Sequence, residues 1–71
     1  MYERYIYPEI VKQCRSKKWS MVRLSEETMI GVPSLRKKMN GSQYFYLDEV
    51  LRIHKVLNCG LPIEKLFKKK Q

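Results

Sequence analysis

The sequence is poor in the residues that catalytic and metal sites usually require. Its 71 residues contain one histidine and two cysteines. His54 lies within an apolar helical pattern, and Cys14 and Cys59 are far apart in the chain. There is no zinc-binding spacing, no glycine-rich phosphate loop and no nucleophile beside a base. Asp48 and Glu49 are helical neighbours that point about 100° apart, so they are no acid/base pair. We therefore expect no enzyme, cofactor, metal or small-molecule ligand, and we expect both cysteines to be buried thiols.

Long apolar runs are absent as well. No stretch approaches the roughly 20 apolar residues that span a bilayer, and the first residues do not resemble a signal peptide. A membrane-surface role would need an amphipathic helix with large apolar side chains to spare, and the last helix uses its own for the core. We expect a cytoplasmic protein that does not bind membranes.

Acidic residues are few: 7 Asp and Glu stand against 15 Lys and Arg, a net charge of +8. A charge this large on so short a chain favours a polyanionic partner. The hydrophobic fraction of 44% still suffices for one small core. We expect a single domain over residues 1–71, with an arm at about 1–7, a core at about 8–67 and a basic tail at 68–71.

Apolar periodicity and capping residues predict an all-α fold, a compact bundle of about five short helices. The expected helices start at Pro8, Ser20, Gly31, Leu47 and Pro62. In the fourth, the most regular, the residues expected to point inward are Leu47, Val50, Leu51, Ile53, His54 and Leu57. We expect Trp19 and Phe45 to pack on the core, and the lysines at 68–70 to form a frayed tail.

The third helix has two different faces. Leu35 and Met39 share an apolar side with Val32 at its edge. The opposite side carries small and basic residues and no acid: Pro33, Ser34, Arg36, Lys37 and Asn40. A helix that enters a DNA groove needs little bulk at its start and donors for phosphates and base edges. A solvated basic face is the plainer interpretation.

Several short motifs occur in a characteristic order between about residues 10 and 67. They are Trp19-Ser20 and Leu24-Ser25 in the second helix, residues 35–41 (LRKKMNG), residues 45–49 (FYLDE) followed by Ile53 and Leu57, and Leu66-Phe67. Together they resemble the helix-turn-helix domains of the phage-repressor (Xre/Cro) type, most closely the small versions in prophages and other mobile elements. The resemblance implies a lambda-repressor-like fold.

Three positions depart from the family pattern. Met29 stands where the turn between helices two and three usually has glycine, and a non-glycine residue at positive φ costs on the order of 1 kcal/mol. Gly31 replaces the usual Ser or Thr cap of the third helix and is a weaker cap. Tyr46 replaces the Thr cap of the fourth helix, so Asp48 and Glu49 must satisfy its dipole.

The resemblance implies a transcriptional regulator, repressor-like, that binds double-stranded DNA with residues 31–40 as recognition helix in the major groove. The implied base contacts are Val32, Pro33, Ser34, Arg36 and Lys37. The implied phosphate contacts are Lys17, Lys18, Ser20, Met21, Arg23, Lys38, Asn40, Ser42 and Gln43. The family often has Gln where Met21 stands, so one backbone contact is expected to be missing.

A homodimer that reads half-sites about one helical turn apart is the usual arrangement of the family. The alternative is a protein-interaction module, such as an antitoxin or a phage regulatory partner, that keeps the fold. In that case the aromatic arm (Tyr2, Tyr5 and Tyr7) or the last helix would bind protein.

Overall fold

The computed structural model describes residues 4–70, which form five α-helices and no strand. In chain order the helices are α1 (Pro8–Ser16), α2 (Met21–Thr28), α3 (Val32–Met39), α4 (Leu47–Leu57) and α5 (Ile63–Leu66). The predicted all-α class and the five predicted helices are confirmed. None of the helices within residues 4–70 combines the length and the apolar character needed to cross a membrane.

The core lies where one stripe from every helix meets. The buried apolar side chains are Tyr7, Ile10, Val11, Cys14, Met21, Leu24, Ile30, Leu35, Met39, Ile53, Leu57 and Leu66. Three aromatic rings close one side of this core edge to face: Tyr7 lies 5.4 Å from Phe45 and 5.8 Å from Phe67, and Phe45 lies 5.4 Å from Phe67. Tyr7 of the arm therefore belongs to the core. The predicted anchors Trp19 and Phe45 are half-buried and pack against the core.

The two cysteines are free thiols. Cys14 is fully buried in the core, which confirms the prediction, whereas Cys59 is only half-buried. Burial raises the pKa of Cys14 to about 11, because the thiolate would lose its hydration, although the nearby Lys17 acts in the opposite direction. Cys14 is therefore a protonated thiol at neutral pH and acts as a small apolar core residue.

The prediction that Leu47 and Leu51 of α4 point into the core was wrong. Leu47 is 73% exposed and Leu51 is 49% exposed. The buried stripe of α4 is centred between Ile53 and Leu57, and Leu47 and Leu51 lie about 100° and 140° away from that centre. The inward position at the other edge of the stripe is taken by Glu49, which is buried. The apolar arc of α4 is thus wider than the surface that its neighbours cover.

The connection between α2 and α3 is a short turn at Met29 and Ile30. Met29 adopts the left-handed conformation at φ 60° and ψ 30°, and its backbone N–H donates to the carbonyl of Ser25. The Ser25 hydroxyl donates to the carbonyl of Ile30 at 2.5 Å. The guanidinium of Arg52 on α4 donates to the carbonyl of Thr28 at 2.8 Å. These bonds satisfy two carbonyl groups at the end of α2, those of Ser25 and Thr28, and hold the turn without a glycine.

The arm is hydrogen-bonded to the end of α3, and the basic tail is hydrogen-bonded to the arm. The Ile6 N–H donates to the carbonyl of Met39 at 2.8 Å, and the Lys70 N–H donates to the carbonyl of Ile6 at 2.6 Å. The tail, which was expected to be frayed, is hydrogen-bonded to the arm at Lys70 and is otherwise exposed. Tyr2 of the arm lies outside the described residues.

The strain at Met29 can be measured. Met29 is 85% exposed, so Met29→Gly removes almost no packing and relieves a backbone conformation that is strained for a side chain. We expect Met29→Gly to raise the free energy of unfolding by about 0.5–1 kcal/mol in urea denaturation.

Asn58→Gly is the matched control. Asn58 ends α4 in the same left-handed region, at φ 44°, but asparagine tolerates this region better than methionine. The free energy of unfolding should therefore rise less in Asn58→Gly than in Met29→Gly. Equal gains, or a loss at Met29, would show that the turn is not strained by its side chain.

Candidate nucleic-acid interface

The third helix presents the basic face that the sequence predicts. Leu35 and Met39 are fully buried, whereas Pro33, Ser34, Arg36 and Lys37 are exposed. We call these four exposed residues the α3 face. The helix starts at Gly31, which caps it without a side-chain hydrogen bond, and its first helical hydrogen bond joins the Leu35 N–H to the Gly31 carbonyl at 2.8 Å.

The charge on α3 is of one sign. Arg36, Lys37 and Lys38 all lie in its last turn, and the helix contains no acidic residue. Cations near the C-terminus of a helix are favoured by its dipole, so the basic end also stabilises α3 itself. Among these three cations, Arg36 and Lys37 are exposed to solvent.

The start of α2 is a second basic region. The Ser20 hydroxyl caps α2 by accepting the backbone N–H of Arg23 at 3.2 Å, which confirms the predicted cap. Two cations lie close to the Trp19 ring, with Lys17 Nζ at 5.5 Å and the Arg23 guanidinium at 5.2 Å from its centroid. These cation–π contacts with the half-buried Trp19 ring keep Lys17 and Arg23 near the N-terminus of α2.

Arg23 also has an acidic partner. Its Nε donates to Glu27 at 2.9 Å, and the two side chains are 52% and 37% exposed. An exposed pair at this helical spacing contributes only about 0.3–0.5 kcal/mol. Arg23 can therefore exchange Glu27 for a phosphate at little cost.

The loop after α3 (residues 40–46, the α3–α4 loop) is tightly turned. Asn40 Oδ1 accepts the Ser42 N–H at 2.9 Å, and the Lys37 carbonyl accepts the N–H groups of Ser42 and Gln43 at 2.9 and 3.2 Å. These two backbone donors point back to the end of α3, so Ser42 and Gln43 can offer a phosphate only their exposed side chains.

Two predicted phosphate contacts need correction. The side chain of Met21 is buried in the core, so Met21 could offer a phosphate only its backbone N–H. Lys38 is buried too, and its ammonium group lies 2.6 Å from both carboxylate oxygens of Glu49 on α4. The other predicted contact residues are exposed, except for Val32, which is half-buried at the edge of the core.

The Lys38–Glu49 pair joins the end of α3 to the start of α4. The two side chains are only 6% and 9% exposed. Glu49 also accepts the backbone N–H of Tyr46 at 2.9 Å, so it satisfies the start of α4 as expected from the missing Thr cap. The Tyr46 ring lies 4.6 Å from Lys38 Nζ. Every donor and acceptor of the pair thus has a partner that offsets part of its desolvation.

Sequence reasoning missed this pair and also missed Arg52. Lys38 lies between the two faces of α3, where helical spacing alone allows either environment. The useful signal was the acid at the third position of α4, which could have been paired with a cation at the end of α3. The bond from Arg52 to Thr28 joins residues 24 positions apart, and no local pattern indicates it.

His54 on α4 is hydrogen-bonded to the segment that leads to α5. His54 is half-buried, and its Nε2–H donates to the carbonyl of Leu61 at 2.7 Å, which fastens the turn between α4 and α5. Within residues 4–70, no three His, Cys, Asp or Glu side chains are grouped so that they could hold a metal ion.

Comparison with known proteins gave no match: no protein-family model, no curated protein and no solved structure is significantly similar to this chain.

The buried pair allows a direct test. Glu49→Gln leaves the Lys38 ammonium buried without its counter-charge, and breaking a buried pair in this way typically costs about 3–5 kcal/mol. We expect a loss of this order in the free energy of unfolding. The double variant Lys38→Met/Glu49→Gln should lose clearly less than the two single variants added together.

Glu27→Gln is the control, since it breaks the exposed pair with Arg23 and should cost less than about 0.5 kcal/mol. A cost at Glu49 no larger than that at Glu27 would mean that Lys38 is solvated in solution. In that case Lys38 would again be a candidate phosphate contact.

Proposed function

We propose that the protein binds double-stranded DNA through the α3 face and regulates transcription. The observation that carries the proposal is the division of α3, in which Leu35 and Met39 are buried while small and basic residues are exposed without an acid. An α-helix with side chains is about 10–12 Å across, which matches the roughly 12 Å width of the major groove.

The residues of the α3 face suit different contacts. Pro33 and Ser34 in the first turn are small enough for the helix start to approach the bases. Arg36 and Lys37 can donate to the O6 and N7 atoms of guanine, the commonest specific contact in this groove. Val32 can offer only its exposed part, for example to a thymine methyl group.

The phosphate contacts would come from two places beside α3. One is the start of α2, where Lys17 and Arg23 lie beside the Trp19 ring and Ser20 and Lys18 are exposed. The other is the α3–α4 loop with its exposed Asn40, Ser42 and Gln43. Such contacts supply affinity and orientation, while the α3 face supplies sequence preference.

The order of the elements supports the resemblance to repressor-like helix-turn-helix domains. α2 and α3 are packed against each other and joined by the turn at Met29 and Ile30, and the longer α4 follows with Glu49 at its start. On this proposal the protein acts in the compartment that holds the DNA, the cytoplasm of a bacterial cell. A homodimer on two half-sites would follow the family arrangement.

A protein-interaction module is the second candidate function, and one observation favours it. Leu47 and Leu51 are exposed one turn apart on α4, and Tyr44 and Tyr46 are exposed just before them. Exposed large apolar residues and tyrosines are enriched at protein interfaces. This module could use the fold without any contact to DNA.

Selection from a random duplex pool, followed by affinity measurements over a range of salt concentrations, tests the proposal. If four or five phosphates are neutralised, log K should fall with log salt with a slope of about −4. Arg36→Gln/Lys37→Gln removes the donors of the α3 face and should weaken binding to the selected duplex by at least about tenfold.

The control is Lys12→Gln/Lys55→Gln, which removes the same charge from exposed positions on α1 and α4. This variant should keep nearly the affinity and the sequence preference of the parent. An unchanged affinity in Arg36→Gln/Lys37→Gln would contradict the proposal and favour the interaction module, as would a parent protein with no duplex binding.

A further inference from the structure

The basic tail is held in a defined place by backbone bonds. Ile6 connects two segments, because its N–H donates to Met39 at the end of α3 and its carbonyl accepts the Lys70 N–H. Ile6 also packs closely on the start of the α3–α4 loop, where a Cβ added to Gly41 would lie 3.0 Å from Ile6 Cδ1. Gly41 has φ +88°, so both its conformation and its lack of a side chain allow this contact.

The tail also contacts the loop through a side chain. Lys69 Nζ lies 5.8 Å from the centroid of the Tyr44 ring. Tyr44 is 82% exposed and directly follows Gln43, the last polar residue of the loop. The ammonium group of Lys69 is therefore beside the loop that would contact the DNA backbone.

Lys68 and Lys69 carry charge that the acidic residues within 4–70 do not neutralise. Lys68 and Lys69 are exposed, and neither forms an ion pair with an acidic residue within residues 4–70. The contact of Lys69 with an exposed ring is weak in water and can give way to a phosphate. Because the tail backbone is already bonded, ordering these cations on a ligand costs less entropy than ordering a free tail.

We propose that Lys68 and Lys69 bind phosphates of the same DNA duplex, next to those contacted by the α3–α4 loop, and so extend the interface beyond α3. The inference rests on the proposed DNA binding. On this proposal Lys68 and Lys69 contact particular phosphates, in addition to adding to the net charge of the protein.

The salt dependence of binding to the selected duplex tests the inference. Lys68→Gln/Lys69→Gln removes two exposed charges and no buried group, and circular dichroism checks that the helices are retained. If each lysine neutralises one phosphate, the slope of log K against log salt should become less steep by about 1.8. The control Lys12→Gln/Lys55→Gln removes the same charge away from α3 and should retain the slope of the parent.

Two results would overturn the inference while leaving the proposed function intact. In one, the tail variant binds with the slope of the parent. In the other, the tail variant and the control make the slope of log K against log salt less steep by the same amount, which would mean that only the net charge of the protein affects binding. A parent that binds no duplex, or binds with an affinity independent of salt, would instead overturn the proposed function and the inference with it. If that parent then bound phosphatidylserine vesicles and Lys68→Gln/Lys69→Gln did not, the tail would be assigned to a membrane surface.

Discussion

The burial of Leu35 and Met39 is the constraint on which the arrangement of α3 depends. Both side chains are fully buried, so the helix cannot rotate without exposing one of them. Fully burying a leucine or methionine is worth about 1.5–3 kcal/mol, which is a large share of the stability of so small a domain. The direction of the α3 face follows from this constraint. Its basic residues are exposed because the opposite side of the helix is needed for the core.

The buried Lys38–Glu49 pair adds a polar restraint to this apolar one. A buried pair is weak support for stability, since desolvation offsets much of the attraction between its charges. Its geometry is demanding, however, because both carboxylate oxygens lie 2.6 Å from Lys38 Nζ and one of them also accepts the Tyr46 N–H. We infer that the pair specifies how the end of α3 meets the start of α4. Lys38, one of the basic residues of α3, is thus neutralised by Glu49 within the protein.

The fold could be predicted from local signals. Pro8, Ser20 and Pro62 mark helix starts, and the stripes around Leu24, Leu35 and Ile53 identify the core. Leu47 and Leu51 could not be placed in this way, because a helical pattern does not reveal how much of a wide apolar arc its neighbours cover. The bonds from Ile6 to Met39 and from Lys70 to Ile6 are backbone contacts between distant segments, and no side-chain pattern encodes them.

The candidate site was predictable where a residue's environment depends on its own helix. Pro33, Ser34, Arg36 and Lys37 are exposed as expected, since all four lie away from the buried stripe. Lys38 lies at the boundary, and a single acidic residue on another helix determines its environment. The buried Glu49 thus removes Lys38 from the exposed basic residues of α3, which the pattern of α3 alone does not show.

The most direct measurement is a nuclear magnetic resonance titration of the ¹⁵N-labelled protein with its selected duplex. If the α3 face binds DNA, the largest amide shift changes should fall at residues 34–37, with smaller ones at residues 17–23 and 40–43. The amide of Leu51 on the exposed side of α4 should change little. Shifts confined to residues 44–51, or no shifts at any duplex concentration, would contradict the claim that the α3 face binds DNA.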